Sequence, residues 1–122
     1  MPQVEAYRSE TVVETVQRSK GLLLIHFGSP LASFSHYVSV EFRVLAEEFD
    51  GRVSFAEVNV VPDAYSVIQA YQIENLPLQI LFSDGNPVER LEMPLPLSEL
   101  RNFVEAAVSY HGPGFDDDRS GG

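Results

Sequence analysis

A chain of 122 residues is long enough for one domain with a core of its own. It contains no cysteine, which excludes disulfides, thiolate metal sites and thiol redox chemistry. Eight Lys and Arg against eighteen Asp and Glu leave a formal net charge of -10, which disfavours phosphate backbones and anionic lipid, so neither nucleic acid nor a membrane surface is an expected partner.

The first residues, "MPQVEAYRSETVVE", have neither a basic leader nor a long apolar stretch, and no apolar run approaches bilayer length. A cytoplasmic location is the expectation. "VEAYRS" alternates weakly and fits a short first strand. "TVVETVQRSKG" reads as a helix: Thr11 and Glu14 have capping-box spacing, Val12, Val13 and Val16 share a face, and Gly21 is a natural stop. "LLLIHF" is almost wholly apolar, as in a central strand covered on both faces.

Past the stretch "FGSPLASFSHY", residues Val38, Phe42, Leu45, Ala46 and Phe49 form a helical stripe that Asp50-Gly51 ends. "RVSFAEVNV" alternates as a strand. Asp63 is placed to cap a short helix over "AYSVIQAYQ". "LPLQILF" is a further apolar strand, and "SDGN" predicts a tight hairpin into "VERLEM" because Asp-Gly tolerates positive φ. Ser98 opens a last helix with Leu100, Phe103, Val104, Ala107 and Val108 on one side. The expected organisation is one domain over 1–110 and a disordered acidic, glycine-rich tail over 111–122, "HGPGFDDDRSGG". The order β-α-β-α-β-α-β-β-α predicts an α/β fold: a mixed five-stranded sheet with four helices on its two faces.

This order and these motifs resemble thioredoxin, a three-layer sandwich, from about Val4 to Val108. "LLLIHF" matches the family's apolar strand, and the family's Cys-Gly-Pro-Cys falls on Ala32, Ser33, Phe34 and Ser35. "RVSFAEVNV" matches its central strand, and "ENLPLQILFSDGNPV" its cis-proline, strand and hairpin, with Pro77 as that proline. The resemblance implies a redox-inactive member, because a methyl group and a hydroxyl stand where thiol-disulfide exchange needs a thiolate. The family's buried aspartate falls on His26 and its facing lysine on Glu57. Either these two approach each other inside the sheet as a buried polar pair, or His26 bonds some other core group. A pairing carboxylate would raise the histidine pKa and burial would lower it.

Ser33, Ser35 and His36 are the residues a rival hydrolase would use, but no third group orients a base, and "SFSHYV" is not a nucleophile elbow. A helix N-cap is the simpler role for either serine. His26, His36 and His111 have no ligand spacing, so no metal or cofactor is expected. The resemblance implies a groove for an extended peptide, framed by Leu31 to Phe34, by Leu76-Pro77 and by Glu92-Met93. Leu31, Phe34 and Leu76 would form its apolar patch, and Met93, in place of a glycine, would narrow it. "DGNPVERLEMPLPLSELRNFV" is also similar to the thioredoxin domain of bacterial co-chaperones. The expectation is therefore a non-catalytic protein-binding module, a chaperone or assembly factor for a protein partner. A hydrolase and a structural subunit of an oligomer are the alternatives.

Overall fold

The computed structural model describes residues 4–29, 34–61, 63–93 and 95–111, with backbone only over 34–39. The chain runs β1 (Glu5–Arg8), α1 (Val12–Gln17), β2 (Leu22–Gly28), α2 (Phe34–Glu48), β3 (Val53–Asn59), α3 (Tyr65–Tyr71), β4 (Leu78–Ser83), β5 (Asn86–Leu91) and α4 (Leu97–His111). Its five strands lie in the order β1-β3-β2-β4-β5. β1 and β2 run parallel to β3, whereas β4 is antiparallel to both β2 and β5. No helix among the described residues is long and apolar enough to cross a membrane.

Strand β2 is buried at every position, and alternation sends its side chains to two separate cores. Leu23, Ile25 and Phe27 join Ile80 and Phe82 beneath Val12 and Val16 of α1 and Val67 of α3. Leu22 and Leu24 join Phe55 and Leu81 beneath Phe42 and Leu45 of α2, Phe49 just past its end, and Leu100 and Val104 of α4. The helices thus cover both faces, giving three layers. β5 is exposed along most of its length, and Pro87 is tolerated there because an edge strand need not donate on its outer side.

The hairpin expectation holds in detail. Asp84 and Gly85 have φ of 49° and 85°, as a two-residue turn with two left-handed positions requires. The tip is clipped to the α1–β2 connection: Gly21 N–H donates to Asp84 Oδ1 at 2.7 Å, and Asp84 N–H donates to Gly21 O at 3.0 Å. A Cβ on Gly85 would stand 2.9 Å from Val16 O, so glycine is needed for space as well as for φ.

Two expected caps do not form. Thr11 is the N-cap of α1 and Ala64 that of α3, neither with a side-chain capping bond. Packing of their apolar faces, through Val12 and Val16 in α1 and Val67 in α3, holds these short helices instead. α4 starts at Leu97, one residue before Ser98, and runs through His111. The tail over 112–122 lies outside the described residues.

Three longer-range contacts tie the layers. Arg101 makes a two-pronged ion pair with Glu48, both distances 2.7 Å, joining α4 to the end of α2. Arg90 reaches from β5 to the end of α3, donating to Tyr71 O at 2.6 Å and Gln72 O at 2.7 Å. A cation there also complements the negative end of the helix dipole. Tyr71 packs its ring against Phe27 and Phe82 at centroid distances of 5.8 and 5.2 Å.

Candidate functional site

Sheet register gathers the groove segments at one pole. Phe27 pairs with Leu78 across β2 and β4, so Leu76-Pro77 meets the end of β2, where the chain leaves for α2. Gln79 pairs with Leu91 across β4 and β5, which carries Met93 to the same edge. The Leu76-Pro77 peptide bond is cis. Phe34 is the first residue of α2 and Ser35 the second.

The described side chains there divide into two kinds. Leu76 is half-buried and packs on the core under α1 and α3, so it presents only part of its surface to a ligand. Met93 is 65% exposed, so its side chain is not packed away into a hollow. Leu31, Ala32 and Ser33 lie outside the described residues, as do the side chains of Phe34, Ser35 and His36. The apolar patch and the serine-histidine constellation expected from them fall outside the description as well.

Beneath this pole a row of polar residues crosses the sheet on the face covered by α2 and α4. His26 pairs with Glu57 on β3 and with Gln79 on β4, so all three project to one side. His26 is 2% exposed and Gln79 is 1% exposed. The imidazole meets Phe42 edge-on, with ring centroids 6.1 Å apart. Neither imidazole nitrogen, nor Gln79 Oε1, has a hydrogen-bond partner among the described residues. Burial pushes the His26 pKa down to about 4, because a charged ring there would lose its hydration with nothing in return.

The expected His26–Glu57 pair is therefore not formed. The register brings the two positions together, but Glu57 is only half-buried. Drawing its carboxylate in beside the ring would add a second desolvation cost that one bond does not repay. Gln79 is the member of this row that sequence reasoning missed. The signal was present: it is the one polar residue inside the apolar run Leu76 to Phe82.

Among the described residues no cluster of His, Asp or Glu could hold a metal ion. What the pole offers is a framed surface over a buried neutral imidazole, with no thiol anywhere in the chain.

A family model described as thioredoxin matches residues 3–106. Among characterised proteins, the chain is 26% identical over 96 residues to a chloroplastic thioredoxin Y of Oryza sativa subsp. japonica. That match takes in 78% of this chain and 56% of the rice protein, so the chain spans little more than half the length of that relative. Among solved structures, a mutant thioredoxin from Halobacterium salinarum NRC-1 matches with a TM-score of 0.73 at 20% identity, covering 85% of this chain and 89% of that one. A likeness at that identity speaks for the fold alone. Taken with the family model, which reaches from the first strand into the last helix, it means that the chain belongs to the thioredoxin family, as a member without cysteine.

Proposed function

We propose that this chain is a non-catalytic binding module, which holds an extended stretch of a protein partner or client at the pole formed by Leu76, Pro77 and Met93. The observation that carries the reading is Met93: a long apolar side chain, 65% exposed, on the edge that the register shares with Leu76-Pro77. A flexible thioether suits surfaces that accept varied apolar side chains. Without thiols nothing is exchanged with the bound chain, so the module holds and releases. A chaperone or assembly factor is the role that fits.

The test pairs two assays. The protein should leave insulin unreduced in the presence of dithiothreitol above the buffer rate, and it should slow the aggregation of a heat-denatured client in proportion to its concentration. Met93→Glu should weaken that protection severalfold without shifting the melting temperature, since the residue is exposed. Equal protection by wild type and Met93→Glu would refute this site.

One observation favours a second reading, the structural subunit. Val40 and Val44, one turn apart on the outer side of α2, are 45% and 37% exposed. Light scattering against protein concentration distinguishes the readings: an oligomer that Val44→Glu dissociates would favour the subunit.

A further inference from the structure

At the pole opposite the groove, where β2 and β3 begin and β4 ends, the surface encloses a hollow of ≈ 490 Å³. That lies within the roughly 300–1,000 Å³ typical of small-molecule sites. Leu22 and Val53 are among its lining residues. Its lining also includes Lys20, Arg52, His111, Ser54, Ser83 and Asp84.

The charge of this lining runs against that of the chain, which has eighteen acids to eight bases. Arg8, Arg90 and Arg101 each have a glutamate within ion-pair distance. Lys20 and Arg52, like Arg18 and Arg43 elsewhere on the surface, have no carboxylate partner among the described residues, although acids are in surplus; of these four, only Lys20 and Arg52 line the hollow. Arg52 is held in place without one: its guanidinium lies 4.7 Å over the Phe49 ring and donates through Nη2 to Glu48 O at 3.0 Å. Its remaining N–H groups stay available. The one acid among the described lining residues, Asp84, is engaged through Oδ1 with Gly21 N–H. His111 adds a third nitrogen-bearing group from the end of α4. Its buried Nε2 lies 3.5 Å from Glu89 Oε2 and makes no hydrogen bond.

We propose that this hollow is a binding site for a small anion bearing a carboxylate or phosphate group, held by Lys20 and Arg52. A guanidinium fixed by stacking and one backbone bond presents its other donors in a set direction, which suits a planar carboxylate or a phosphate face. The anion has two sources, a free molecule or the carboxylates of Asp116, Asp117 and Asp118, which follow His111 in sequence. The site lies roughly 20 Å along the strands from the groove, so its test is independent of the binding-module reading.

The test is a titration of the full chain with inorganic phosphate at constant ionic strength, read from the amide shifts of Gly21, Gly51, Arg52 and Ser54. The expected result is saturable movement of these amides, about tenfold weaker in Lys20→Ala or Arg52→Ala, the effect of one lost charge-assisted contact. It should be unchanged in Arg8→Ala. Both lining cations are exposed, so the variants keep the fold, which their remaining amide shifts verify. Changing Asp116, Asp117 and Asp118 together to asparagine separates the sources. If that variant moves the same amides before phosphate is added and then binds phosphate more tightly, the chain's own carboxylates are the ligand. If it changes neither, a free anion is. Shifts that never saturate, or that match among wild type, Lys20→Ala and Arg52→Ala, would overturn the proposal.

Discussion

Replacing His26 by leucine tests what the buried imidazole does to this fold. His26 is 2% exposed, faces Phe42 and has a pKa lowered from 6.5 to about 4 by burial. The unfolded chain therefore binds a proton more readily than the folded one between these two values. The native structure keeps its full advantage above pH 6.5 and loses it as pH falls toward 4. At about 1.4 kcal/mol per unit, a drop from 6.5 to about 4 corresponds to about 3 kcal/mol. Leucine has no proton to gain, and it sits among Leu24 and Phe42 without orphaned nitrogens.

Urea denaturation of both proteins at pH 7.5, 6, 5 and 4.5 gives the difference in stability, in which the carboxylates common to both cancel. Wild type should lose most of that 3 kcal/mol relative to His26→Leu over this range. His26→Leu should be at least as stable at pH 7.5, since it removes unsatisfied buried groups. Parallel pH profiles would refute the reasoning. A wild type that gained on the variant toward low pH would show that Glu57, the acid in register on β3, holds the ring charged after all.

Further consequences concern the contacts that tie the layers. Gly85→Ala should destabilise by about 1–3 kcal/mol in thermal melts, because alanine must adopt a φ of 85° and place Cβ 2.9 Å from Val16 O. Asp84→Ala should cost about 1 kcal/mol by loss of the bond from Gly21 N–H, and Asp84→Asn should recover part of it. Arg101 holds the Glu48 carboxyl below the usual carboxylate range through its hydrogen bonds, so Arg101→Ala should move the Glu48 titration upward in carbon-detected spectra. Arg90→Ala frees the carbonyls of Tyr71 and Gln72, and hydrogen exchange at Gln72 and Ile73 should quicken while the sheet amides stay protected.

The amino-acid sequence determined much of this molecule by itself. Periodicity orders most of the nine elements: the stripe from Phe42 to Phe49 reflects burial on one face, and in "RVSFAEVNV" Val53 and Phe55 enter one core while Val58 and Val60 enter the other. Asp84-Gly85 encodes its own turn, because the φ values it needs are a local property. The absence of sulfur nucleophiles is likewise complete in the composition. Capping was the local reading that failed: Thr11 and Asp63 have the right chemistry, but tertiary packing set the ends of α1 and α3.

The tertiary structure decided whatever depends on which side chain ends beside which. Aligned with its family, the sequence suggested that His26 and Glu57 are neighbours, and the sheet register makes them so. Only the three-dimensional packing fixes how deeply each is buried, and that depth decides between an ion pair and a neutral ring against Phe42. The basic hollow was illegible for the same reason. Lys20, Arg52 and His111 come from three distant parts of the chain, and their meeting is a product of strand order, which no local pattern records.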